Sequence, residues 1–134
     1  GTTLEALNNH AHMFLEDFFE TDPITVTLSS FKEVKSKHEN KPVINVKVEY
    51  KGMEGDINCL SGGEMARVTL AYTLALSELH GSSLLLLDEC TASLDQETTT
   101  AIFNSIKQRL PNKKVILIAH QIITGCFDDV LHLV

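Results

Sequence analysis

Apolar positions recur every three or four residues over 3–20, with Leu4, Leu7, His10 or Ala11, Phe14, Leu15 and Phe18 on one stripe. That spacing predicts an amphipathic helix. Pro23 disfavours a helical Asp22, so the helix is expected to end near Thr21. The period then drops to two. "ITVTLSSF" (24–31) and "PVINVKVEY" (42–50) alternate apolar and polar residues, which predicts two half-buried strands able to pair as a hairpin. The polar stretch 32–41 between them reads as the tip, and "KGMEGD" (51–56), with two glycines, as a turn.

From Ser61 the period returns to that of a helix. Met65, Val68, Ala71, Tyr72, Ala75, Leu76 and Leu79 are expected inward, with a stop at Gly81. "SLLLLD" (83–88) is a short continuous apolar run, the pattern of a strand covered on both faces. "CTASLD" (90–95) reads as a loop. A helix follows over 96–110, with Ile102, Phe103, Ile106 and Leu110 inward. "KKVILIAH" (113–120) is a second buried strand, "QIITGCF" a short helix or turn, and "DDVLHLV" (128–134) a last strand. Helices alternating with apolar strands predict an α/β fold with a parallel sheet. A helix and a β-hairpin precede it. No internal repeat or interdomain linker stands out.

Composition narrows the picture in three ways. The 134 residues suffice for one domain with a core. A formal net charge of −7 argues against a strongly basic nucleic-acid-binding surface on this segment. No apolar run approaches membrane-spanning length, and the first residues do not have the pattern of a secretory signal. Cys59, Cys90 and Cys126 are odd in number and match no C-x-x-C spacing, so buried reduced thiols are expected. His10 and His12, two apart on a helix, point to different faces and do not make a metal pair.

Ligands of parallel sheets bind beyond the carboxyl ends of the strands. Two polar clusters are predicted there: Asp88 with Glu89, after "LLLL", and His120 with Gln121, after "VILIA". A carboxylate at a strand end suits a hard cation such as Mg²⁺. A second one beside it, turned the other way, suits polarising a water. The local alternative is that both merely begin the next loop. "LSGGE" (60–64) carries its own signal. Ser61 and Glu64 fit the capping box S-x-x-E. Gly62 and Gly63 are poor helix formers that capping does not require. They would leave a helix N-terminus clear for an anion. Ser93 or Asp95 can cap the next helix.

Four stretches in order, "LSGGE" (60–64), "LLLLDE" (84–89), "ASLD" (92–95) and "AH" (119–120), resemble the signature, Walker B, D-loop and switch histidine of the ATP-binding cassette (ABC) ATPases. The glutamate of "LSGGE" and the preceding helix and hairpin look like the C-terminal lobe of a structural maintenance of chromosomes (SMC) head or an SbcC-like repair ATPase. "DECTASLD" is nearer the repair ATPases and the transporters. The resemblance spans about residues 4–134. It implies the parallel-sheet half of an ABC ATPase head with flanking helices, as one lobe over 1–134. Residues 3–20 would end a coiled coil, 24–51 form the hairpin, and 60–134 carry the signature helix and the Walker B and switch region.

By position, the resemblance implies that Asp88 holds Mg²⁺ through water, Glu89 activates the attacking water as general base, and His120 contacts the γ-phosphate. Ser61, Gly62, Gly63 and Glu64 would meet ATP held by another subunit. Ser93, Leu94 and Asp95 would cross a dimer interface. Arg67 would relay nucleotide state to the coiled coil. No G-x-x-x-x-G-K-[ST] occurs in these residues, so half of the positioning groups for phosphoryl transfer are expected on an N-terminal Walker A lobe. The other implied partners are a second head, DNA through the full assembly, and a kleisin or nuclease subunit, at a cytoplasmic or nuclear, chromosome-associated location away from membranes. Two other readings are a transporter ATPase subunit, favoured by "TASLD", and a lobe that binds partners without catalysis.

Overall fold

The computed structural model describes residues 2–34, 40–119 and 125–131. They form two compact units, Gly1–Gly81 and Ser82–Val134. In chain order the first holds helix α1 (Thr2–Phe18), strands β1 (Ile24–Val34), β2 (Asn40–Tyr50) and β3 (Met53–Gly55), a one-turn 3₁₀ helix (Ile57–Cys59) and helix α2 (Gly62–His80). The second holds β4 (Leu84–Asp88), α3 (Gln96–Arg109) and β5 (Lys114–Ile118).

In the first unit the sheet is antiparallel in the order β1-β2-β3. The expected hairpin forms, with Val26 opposite Val48 and Leu28 opposite Val46. Its strands run further than the alternation suggested and absorb 32–34 and 40–41, while 35–39 lie outside the described residues. Lys51 and Gly52 both have positive φ, 52° and 76°, as a two-residue hairpin turn of the primed type requires. That turn brings β3 back against Val48–Tyr50, a strand where the sequence predicts only part of a turn.

The inward stripe of α1 is buried as expected at Ala11, Phe14, Leu15 and Phe18. Phe14, Phe19, Leu15, Leu74, Val26 and Val48 are among the largest fully buried side chains. Asn8, a polar residue on this stripe, is buried as well. Its amide Nδ2 donates to Leu28 O at 2.8 Å, and Leu28 N donates to its Oδ1 at 3.0 Å. One helix side chain thus pairs with both backbone groups of a β1 residue, as a neighbouring strand would. Val26 O, two residues along the same edge, accepts from His12 Nε2 at 2.7 Å and lies 3.0 Å from the Tyr72 hydroxyl. That hydroxyl is also 2.8 Å from Asn8 Oδ1. Side chains of α1 and α2 therefore satisfy the β1 edge at these positions.

Helix α2 departs from its expected inward set. Val68, Ala71 and Ala75 are buried, but so are Leu70 and Leu74, whereas Leu76 and Leu79 are exposed. The Ala71–Ala75 stripe has leucines on both flanks, so period alone does not choose the buried flank; packing against α1 does. Gly81 ends the helix in the left-handed conformation at φ 67°, where glycine avoids the Cβ penalty.

In the second unit β4 and β5 are parallel, as expected. The expected cover on both faces is not found among the described residues. Leu85 and Leu87 are buried, but Leu84, Leu86, Ile116 and Ile118 are each about half exposed or more. The register pairs Leu86 with Ile116 and Asp88 with Ile118, so these side chains share one open face. α3 buries Ile102, Phe103, Ile106 and Leu110 as predicted, and Phe103 meets Phe127 edge to face at 5.1 Å between centroids. The last strand expected at 128–134 is not formed over 128–131; the remainder lies outside the described residues. Cys126 is buried and Cys90 partly so, but Cys59, on the surface 3₁₀ turn, is exposed, contrary to expectation.

Candidate functional site

The "LSGGE" stretch folds as a capped helix start. Ser61, at φ −68° and ψ 170°, is the N-cap of α2. Its hydroxyl accepts from Glu64 N at 3.3 Å, and its own N–H donates to Glu64 Oε1 at 2.8 Å. The reciprocal box satisfies two groups at the helix start. The Ser61 N–H is the main influence holding the Glu64 carboxyl below its ordinary range; burial opposes it and the Tyr50 hydroxyl adds to it. Tyr50 responds in the opposite sense: burial first, then Glu64, pushes its hydroxyl pKa up.

Gly62 opens the helix, and neither it nor Gly63 has a positive φ. A Cβ built on Gly62 would meet nothing within 4 Å. Neither backbone conformation nor any described neighbour requires glycine there, although alanine is the better helix former. Behind the turn stands Arg67. Its Nε lies 3.4 Å from Gly63 O, its Nη1 donates to Phe18 O at 3.0 Å, and its guanidinium lies over the Phe19 ring at 4.0 Å. Arg67 thus caps the C-terminal end of α1, whose last turn has no basic residue of its own.

In the second unit the ladder continues one residue beyond β4, where Glu89 N donates to Ile118 O at 2.7 Å. Glu89 then turns left-handed at φ 50°. Unlike Lys51, it has no glycine after it and lies in no hairpin turn. A non-glycine residue in this region carries strain of about 1–2 kcal/mol, and such outliers gather at functional sites. Asp88, the last β4 residue, is exposed and shares the open face with Leu84 and Leu86. Asp95 rather than Ser93 caps α3, its carboxylate accepting from Thr98 N at 2.7 Å and its carbonyl from Thr99 N and Oγ1. Ser93 is exposed and Leu94 partly so, in the turn between Glu89 and that cap.

Asp88, Glu89, Ser93, Leu94 and Asp95 therefore lie on one strand-to-helix connection of the second unit, and Ser61, Gly62, Gly63 and Glu64 on one helix start of the first. His120 lies outside the described residues. Among the described residues no cluster of three His, Cys, Asp or Glu could hold a metal by itself. One exposed carboxylate fits a hard cation held mostly through water, as Mg²⁺ commonly is.

Sequence reasoning missed the Asn8–Tyr72 network and the Arg67–Phe19 contact. A polar residue on the apolar stripe of α1 was the available signal for the first. The lack of a cation among the residues of α1, with Glu16, Asp17 and Glu20 near its end, was the signal for the second.

No family model matches the chain. It is 40% identical to the uncharacterized protein 050L of Invertebrate iridescent virus 6, over 97% of the chain and 13% of that protein. The chain thus spans a small part of that relative's length. It is 38% identical to the methionine import ATP-binding protein MetN 2 of Bacillus cereus, over 63% of the chain and 26% of that protein. A structure described by the ATP-driven dimerization and DNA-stimulated activation of SMC ATPases superimposes at a TM-score of 0.68, with 18% identity, over 90% of this chain and 70% of that one. An Smc head domain from Pyrococcus furiosus, bound to the C-terminal domain of ScpA, superimposes at 0.67 with 19% identity, over 90% of this chain and 29% of that one.

Proposed function

We propose that this chain, whose α/β fold is that of SMC-type ATPase heads, is the C-terminal lobe of such a head over 1–134, acting in DNA repair, recombination or chromosome organisation. The pair Asp88–Glu89, at the open end of a parallel strand with Glu89 in a strained backbone, is the observation that carries the reading. In it, Glu89 positions the attacking water and takes its proton. Asp88 holds Mg²⁺ through water, an ion that when bound offsets charge on the transferring phosphoryl group. His120 contacts the γ-phosphate. Ser61, Gly62 and Gly63 offer a hydroxyl and N–H groups to the γ-phosphate of ATP on a second head, with Glu64 fixing their turn. Empty space at Gly62 supports an approach from outside the chain. Ser93, Leu94 and Asp95 meet the second head, and Arg67 relays nucleotide state to α1 as the end of a coiled coil.

The N-terminal Walker A lobe is the proposed cover for Leu84, Leu86, Ile116 and Ile118. DNA acts through the full assembly. The ScpA-bound Smc head supports a kleisin-type partner; a nuclease subunit is the alternative. The proposed location is cytoplasmic or nuclear, on chromosomes. The likeness to MetN favours one second reading, a transporter ATPase subunit. The hairpin before the signature and a fold match over 90% of the chain favour the SMC type.

Mixing the chain with the Walker A lobe should yield ATP hydrolysis that neither part has alone. Glu89→Gln should lower it by about 100-fold or more. Robust turnover by the chain alone would refute the half-site reading. Capture of a membrane permease in place of DNA or a kleisin would favour the transporter.

A further inference from the structure

Two side chains hold the Ser61–Glu64 turn from behind, and both rest on a third. Arg67 reaches Gly63 O through Nε and lies over the face of the Phe19 ring, 4.0 Å from its centroid. Tyr50, whose hydroxyl and the Glu64 carboxyl each shift the other's ionisation, pairs with the same ring at 5.8 Å between centroids and 79° between planes. Phe19 is 2% exposed. The path Gly63–Arg67–Phe19–Tyr50–Glu64 is therefore a closed loop, and Phe19 belongs to neither α2 nor the hairpin. It follows the last residue of α1, held there by its own N–H to Leu15 O at 2.9 Å.

We propose that Phe19 is a positioning residue for the turn at Ser61–Glu64, its buried ring fixing Arg67 and Tyr50, which in turn fix Gly63 and Glu64. A ring is required because its face attracts a guanidinium and because it pairs with a second ring in a T-shaped arrangement. An aliphatic side chain of similar bulk would fill the space and do neither. Loosening the ring frees both supports, and the capping box then holds Glu64 without help. The value of this to nucleotide binding rests on the ATPase reading above; the geometry of the loop does not.

The test separates the two. On the 134-residue chain, the Glu64 carboxyl is titrated by carbon NMR and the Gly62 and Gly63 amide peaks are followed. Tyr50→Phe keeps the ring and removes the hydroxyl. It should raise the Glu64 midpoint toward the ordinary carboxylate range. Phe19→Leu, without touching Glu64, should raise it as far, and combining the two should add nothing. Arg67→Lys and Tyr50→Phe test the same loop outside the core, should Phe19→Leu unfold the chain. Their effects on the Glu64 midpoint and the glycine peaks should be non-additive, because they share the ring. An unmoved Glu64 midpoint in folded Phe19→Leu, or strict additivity of the other pair, overturns the proposal. A role limited to the core would lower stability and leave the titration unchanged.

In the reconstituted head, Phe19→Leu should weaken ATP-driven association about 2- to 30-fold, the range of coupling through packed networks. If it does not while Ser61→Arg does, the positioning role fails. If Ser61→Arg and Glu89→Gln are also without effect, the ATPase reading fails and the titration alone decides the loop.

Discussion

The two units treat their sheets in opposite ways. In the first, the inner face of the β1–β2 hairpin carries Val26 and Val48, each 1% exposed or less, and Asn8, His12 and Tyr72 satisfy the β1 edge at Val26 and Leu28. In the second, one face of β4–β5 leaves Leu86 61% and Ile116 51% exposed, next to Asp88. The first unit buries the middle of its hairpin face, with Ile44 further along that face and Leu76 and Leu79 of α2 left exposed, and offers a braced helix start. The second leaves a contiguous apolar face beside its carboxylates, and such faces mark interaction sites. A sheet face buried at its centre and a sheet face left open at its centre thus fall on different units.

That contrast can be broken at its strongest point. Phe14→Ala, at a side chain 1% exposed, should cost about 3–5 kcal/mol. Urea denaturation should show the loss in the first unit, and a change confined to Ser82–Val134 would contradict the division. Asn8→Ala removes the partner of both Leu28 backbone groups and should cost about 1–3 kcal/mol. Accelerated amide exchange at Leu28 is the specific sign. In the second unit, Glu89→Gly should act in the other direction and stabilise by about 1 kcal/mol through relief of the left-handed backbone. Glu89→Ala should not, and equal melting temperatures for the two would remove the strain argument.

A further effect is expected at high pH. Burial pushes the Tyr72 hydroxyl up to about 12 from an ordinary 10.0. The unfolded chain therefore loses this proton first. Stability is full below about pH 10 and falls as pH rises toward 12. Tyr72→Phe should flatten this part of a melting curve measured against pH. Leu86→Ser, on the open face, should change the stability of the chain by no more than about 0.5 kcal/mol, yet, under the proposed function, reduce its association with the proposed Walker A lobe. A large destabilisation there would mean that the face is already covered.

How far the sequence could be read follows the same divide. Capping at Ser61 and Glu64, the helix stop at Gly81, the hairpin and the inward face of α3 were legible because each depends on local chemistry or period. The bareness of β4–β5 was not. "LLLL" reads alike whether one face is covered or two, since a continuous run has no period to distinguish them. Asn8 was passed over because a polar residue within an apolar stripe looks like an interruption until the strand it pairs with is in place. The left-handed turn at Glu89 has no glycine or asparagine to announce it. The burial choice between Leu74 and Leu79 on α2 needed the position of α1. The fold and the local folding of the two candidate segments were thus visible in outline, and the supports behind them were not.

Gly62 shows how selection on such a helix start must work. Among the described residues nothing prevents an alanine there, and helix propensity would reward it. A library sorted only for folding would therefore drift away from glycine, erasing the motif while improving the protein by that measure. Under the proposed function, the pressure that keeps this residue is exerted by another molecule, and only a selection that includes that molecule would reveal it.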